Sequence, residues 1–129
     1  MKKIGHVSIL VRNYDEAIQF YTDMLGFQLI SDNNFGNGFR WVTVAPHKQC
    51  ETAIVFVQAD TEEKRSKIGV QASDHVFMTF ITDNCMKDYE RMKAKGVNFQ
   101  GFPSESPWGT EVVFEDLYGN KFDLVEPKY

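Results

Sequence analysis

A period-two run rich in β-branched residues opens the chain. Val7, Ile9 and Val11 alternate with Ser8 and Leu10, which predicts a strand. The period then lengthens to that of a helix, with Tyr14, Ala17, Ile18, Tyr21 and Leu25 on one face. Asn13 is placed to cap this helix, Asp15 and Glu16 suit its positive end, and Gly26 supplies the left-handed residue that stops it. A strand over Phe27 to Ser31 follows. The same order returns in the stretch from Phe77 to Phe99: a strand, the cap Asn84, a helix with Met86, Tyr89 and Met92 on its core face, then Gly96. Asn84 follows Asn13 by 71 residues and Gly96 follows Gly26 by 70, so the two stretches read as an internal repeat.

The remaining segments fill in around these two copies. Asp32 to Gly38 is turn-rich, Phe39 to Val44 alternates until Pro46, and Glu51 to Gln58 is a mostly apolar strand. Ala59 to Ser73 is polar and charged, a solvated loop or a short exposed helix between the copies. Asp74 to Thr82 is predicted as the fifth strand and Val97 to Phe99 as a short sixth. Gly101 to Gly109, with Pro103, Pro107 and Trp108, reads as a shaped loop. Thr110 to Glu115 and Lys121 to Glu126 form a hairpin whose turn has Gly119 at a positive φ, and Pro127 ends it. The expectation is an α+β fold of eight strands and two helices, a duplicated βαβββ unit in one domain over residues 1–129. Module 1 covers about 1–59, the connection 60–73 and module 2 about 74–129.

Composition narrows the function. With 129 residues the chain is long enough to bury a real core, and its apolar share of 43% is ordinary. The net charge of -4 argues against nucleic acid as a partner. Two cysteines, Cys50 and Cys85, lack metal-motif spacing and are too few for a disulfide scaffold, which points to a reducing compartment. With no leader pattern and no apolar run of membrane length, the expected location is cytoplasmic and no membrane partner is expected.

Two segments, HVSILVRNYDEAIQFYTDMLGF and EDLYGNKFDLVE, resemble the vicinal oxygen chelate superfamily of glyoxalase I, bleomycin resistance proteins and extradiol dioxygenases. The resemblance covers nearly the whole chain. The usual closing motif of that family reads Asp-Pro-Asp-Gly-Asn; here it is Asp116-Leu117-Tyr118-Gly119-Asn120. The resemblance implies that each module curls a mixed sheet into a half-barrel around a cleft, and that the protein is a homodimer.

In glyoxalase I-like members a divalent ion such as Zn, Ni, Co or Fe sits among side chains of the first, fourth, fifth and eighth strands, where it polarises a substrate carbonyl. Counting from the caps, those positions fall on His6, Phe56, Phe77 and Asp123. Two of them are phenylalanine, which cannot ligate a metal and fills the ion's volume. No cofactor is therefore expected. The alternative is a shifted set of His6, Asp123 and His75, and the plainer reading of His6 is a histidine hydrogen-bonded to a neighbour. Strand alternation puts His6 and Ser8, Phe56, His75 and Phe77, and Asp123 on the cleft side. His6 and Asp123 are then a pair on the floor of a ligand pocket whose other residues are Trp41, Phe56, His75, Phe77 and Trp108. His47, in a polar turn, is expected to be exposed.

Three functions follow as expectations. The first is a metal-free module that binds a small molecule, in the manner of the bleomycin resistance proteins. The second is a metal-dependent lyase or dioxygenase, resting on fold analogy. The third is a metal-free enzyme with His6 and Asp123 as an acid–base pair.

Overall fold

All 129 residues are described in a computed structural model. The chain divides into two compact units, Met1–Ile68 and Gly69–Tyr129. Each unit runs strand, helix and three more strands, and each holds its own four-stranded mixed sheet.

Unit 1 contains β1 (His6–Val11), α1 (Tyr14–Gln19), β2 (Gln28–Gly36), β3 (Phe39–Ala45), β4 (Ala53–Gln58) and α2 (Glu62–Lys67). The sheet order is β1-β4-β3-β2, with β1 parallel to β4 and the other pairs antiparallel. Asn13 caps α1 by accepting the Glu16 backbone N–H at 3.0 Å. The helix then widens into a π turn over Phe20–Met24, where the Leu25 N–H reaches the Phe20 carbonyl at 3.2 Å. This widening leaves both Phe20 and Tyr21 buried. Gly26, at φ 82, ends the helix. Ile9, Phe56 and Val42 are register neighbours across β1, β4 and β3, and all three are buried. The Tyr21 ring meets Phe56 edge-on at 5.1 Å, which fixes this as the face that carries α1. Burying a side chain of this size contributes about 1.5–3 kcal/mol.

Unit 2 contains β5 (Val76–Ile81), α3 (Cys85–Ala94), β6 (Asn98–Ser106), β7 (Gly109–Glu115) and β8 (Lys121–Pro127), in the order β5-β8-β7-β6. Asn84 caps α3 through the Lys87 N–H at 3.0 Å. Its core is a ring cluster: Phe114 lies 5.6 Å from Phe122 and 5.8 Å from Phe99, which packs on Tyr89 of α3 at 4.7 Å. The β7–β8 turn closes on Asp116, whose carboxylate accepts from the N–H groups of Tyr118 and Asn120 and from Asn120 Nδ2, each at 2.9 Å. Gly69, at φ +80, lies against this turn; a Cβ there would come 1.9 Å from the Tyr118 carbonyl oxygen. No helix of either unit is long and apolar enough to cross a membrane.

Two segments differ from the sequence reading, and a third takes one of its two readings. The turn-rich stretch from Asp32 is strand as far as Gly36, because Asp32, Asn33 and Asn34 pair with Val42, Trp41 and Arg40. The proline-bearing loop is also strand: Ser104, Glu105 and Ser106 pair with Glu111, Thr110 and Gly109, and Pro103 falls in the break of register where its missing N–H costs nothing. The polar connection takes the short exposed helix of its two expected forms: α2 is capped by Thr61 and exposed along its whole length.

Candidate functional site

The register of β1 and β4 decides which side chains face away from α1. Ser8 pairs with Val55 and Leu10 with Val57, whereas Phe56 pairs with Ile9. Alternation along β4 read alone puts Phe56 on the cleft side; in the structure Phe56 is 1% exposed, its ring meets Tyr21, and it still borders the concavity on β1 and β3. Successive residues of a strand point to opposite faces, so Val55 and Val57 share the face of Ser8 and Leu10.

On the face away from α1 the His6 ring meets Trp41 edge-on, with centroids 5.2 Å apart. They border a concavity of about 290 Å³ with Ser8, Tyr14, Phe39, Arg40, Val55 and Val57; the buried Phe56 also borders it. Its walls are mostly aromatic and aliphatic, and Ser8 adds a hydroxyl. Arg40 was not among the expected site residues. Its Nε and Nη2 grip both oxygens of Asp32 at 2.9 Å, and Nη2 also donates to Asp15 at 2.9 Å. The guanidinium lies over the Tyr14 ring, 5.5 Å from its centre. These hydrogen bonds hold Arg40 fully charged and Asp32 below the ordinary carboxylate range. Arg40 therefore works as a fixed, neutralised wall.

In unit 2 the expected fifth strand starts later. His75 precedes β5 in a bend closed by its own N–H on the Ala72 carbonyl at 3.1 Å, and its side chain is exposed. Phe77 is the extra residue of a bulge, because Val76 pairs with Lys121 and Met78 already pairs with Phe122. Its ring stacks on Phe122 at 6.3 Å, on the side of the α3 core, so its expected place on a cleft wall is corrected. Trp108 sits on the two-residue β6–β7 turn, 56% exposed. His47 is exposed, its Nδ1 accepting from the Gln49 N–H at 3.2 Å.

Asp123 is half-buried on β8, on the same face as Val125 and its neighbours Val113 and Thr79. Its Oδ1 is out of contact with solvent and receives no donor. Loss of solvent and a hydrogen bond with the Glu111 carboxyl push its pKa up to about 7. Two carboxyl groups bond to each other only when one keeps its proton. Glu111 pairs with Val125 on the neighbouring strand, diagonal to Asp123 on the same face. Sequence reasoning missed Glu111; its alternation with Val113 in TEVVFE was the available signal, but the register was needed to use it.

The side chains present do not fit a metal centre. No group of three or more His, Cys, Asp or Glu that could hold an ion occurs in the chain. Val55 takes the β4 place on the face away from α1, and Phe77 turns to the core.

Residues 3–124 match the Glyoxalase/Bleomycin resistance protein/Dioxygenase superfamily. The chain belongs to this superfamily. It is 40% identical, over 97% of its length and 93% of the other, to an uncharacterized protein of Shewanella frigidimarina (strain NCIMB 400). Among solved structures it resembles UcmS2, with 33% identity, a TM-score of 0.85 and coverage of 98% of both chains. It also resembles TnmS3, an antibiotic binding protein from Streptomyces sp. CB03234, with 29% identity, a TM-score of 0.82 and coverage of 99% of this chain and 98% of that one. Both resemblances carry the superfamily fold over the whole chain.

Proposed function

We propose that this superfamily member binds a small aromatic molecule without the help of a metal, in the bay of unit 1 that His6 and Trp41 border. The observation that carries the reading is the bay beside the His6–Trp41 ring pair, apolar in its walls and sparing in polar groups. Trp41 supplies a flat, rigid surface for stacking, His6 an edge with a hydrogen-bonding nitrogen, and Ser8 a hydroxyl that can orient one polar atom. Similarity to an antibiotic binding protein supports the class of function. The reading includes a homodimer, supported by open sheet edges and by exposed rings such as Phe35, Phe39 and Phe102. It also includes a cytoplasmic location, supported by two unpaired cysteines.

The test combines native mass spectrometry of the purified protein with calorimetric titration of naphthalene-based probes. Trp41→Ala is expected to weaken binding at least about tenfold, equivalent to about 1.4 kcal/mol. Stoichiometric Ni, Zn, Co or Fe that is lost in His6→Ala, with no aromatic ligand bound, sinks the reading.

Asp123 favours a second reading, a metal-free enzyme. A carboxyl that holds its proton near neutral pH is suited to donate it to a substrate oxygen. Turnover that falls at least about a hundredfold in Asp123→Asn while binding persists would select this reading.

A further inference from the structure

The bay beside Trp41 does not end at Phe39. A second concavity of about 560 Å³ shares Tyr14, Phe39 and Val57 with it and continues past Asn37 and Gln58 to Asp60 and Lys64. Both lie within or at the edge of the size range of small-ligand sites, roughly 300–1,000 Å³. Their linings differ in kind. The first is aromatic and aliphatic, while the second brings two amides, a carboxylate and an ammonium together.

The two cations bordering this groove are held very differently. Arg40 has both oxygens of Asp32, one of Asp15 and the Tyr14 face, so nothing is left for a ligand to neutralise. Lys64 has one carboxylate, Asp60 at 2.9 Å, in an i,i+4 pair whose side chains are 46% and 72% exposed. A pair so exposed is weak, so an incoming acceptor can share or replace Asp60 at little cost. Asp60 is also acted on by two cations, Lys64 and then Arg65. Over residues 60–67 three acidic and three basic side chains balance, so the choice of ligand charge rests on the pair itself, in which Asp60, at 72% exposed, is the freer partner and yields first.

We propose that the groove takes an aromatic molecule whose flexible arm ends in a carboxylate, with the ring at Trp41 and the carboxylate at Lys64. This rests on the proposed function and specifies its ligand class. The ring is recognised by stacking and apolar burial, and the arm by a charge-assisted hydrogen bond from Lys64 with the Gln58 and Asn37 amides beside it. An amine at the same place would have to displace Lys64, the less exposed partner, from Asp60, and an alcohol would gain only a weaker hydrogen bond.

Three probes separate these outcomes by calorimetric titration of the intact chain: naphthylbutyrate, naphthylbutanol and naphthylbutylamine. Naphthylbutyrate is expected to bind at least about tenfold more tightly than the other two. Lys64→Met, on an exposed helix that tolerates it, should remove that advantage and weaken naphthylbutanol far less than naphthylbutyrate. Equal affinities for all three arms, a preference for the amine, or a loss in Lys64→Met common to all three overturns the inference but leaves the aromatic site standing. Failure of every probe to bind, with circular dichroism unchanged, overturns the proposed function itself and the inference with it.

Discussion

Asp123 loses solvent when unit 2 folds and gains the Glu111 carboxyl as a neighbour, and both changes favour its protonated form. The sign of the consequence is fixed. Its folded value, about 7, lies above the ordinary 3.8, so the folded chain holds this proton more tightly than the unfolded chain does. The stability it contributes is complete below the ordinary value and is lost as pH rises through about 7. Chemical denaturation between pH 4 and pH 8 should therefore show stability falling with pH, with a flatter profile in Asp123→Asn; an unchanged profile in the variant refutes the assignment. At this scale the sequence is informative only in part. Asp123 stands out between Phe122 and Leu124, and Trp41 stands out as a large ring in an alternating strand. Glu111 and Arg40 do not, because each draws its meaning from a partner on another strand, and pairing register is not written along one strand.

Among elements, the β7–β8 turn closes around two buried side chains, Asp116 and Asn120, that bond to each other. Asp116 is 6% exposed and accepts three N–H donors from its own turn. Removing the acceptor leaves Tyr118 and Asn120 with unmet donors in a place that excludes water. Asp116→Ala is expected to cost at least about 2 kcal/mol, read as a shift in the urea midpoint at constant slope, whereas Asp116→Asn should cost less. The caps Asn13 and Asn84 and the stops Gly26 and Gly96 were legible because capping is chemistry between near neighbours. The facing of β4 was not. Its run AIVFV is apolar on both sides, so alternation alone cannot say which side meets α1, and Ile9 opposite Phe56 decides it. The lengths of β2 and β6 were underestimated for a related reason: polar residues and a proline lower strand propensity, but pairing partners on β3 and β7 override it.

For the whole molecule the repeat is the dominant fact, and each copy leaves two sheet edges free. β1 and β2 border one sheet, β5 and β6 the other. Free edges and exposed aromatic rings favour self-association, so light scattering at micromolar concentration is expected to give twice the 14.9 kDa chain mass. A monomer at that concentration removes the homodimer from the proposed function. The two copies have also parted in detail. One presents an aromatic bay and the other a pair of carboxyls, so a shared fold does not carry a shared role. The extra residue at the start of β5 makes that parting hard to reverse. A histidine written at position 77 inherits the direction of the ring it replaces, toward Phe122, and a glutamate at 56 inherits Tyr21 as its neighbour. A deletion at the bulge would restore alternation along β5, whereas β4 has no such break and reaches the face away from α1 from position 55. In mutational terms the bulge is a frame shift confined to one strand: substitutions at position 77 keep the direction of the ring, and only a change in length turns it.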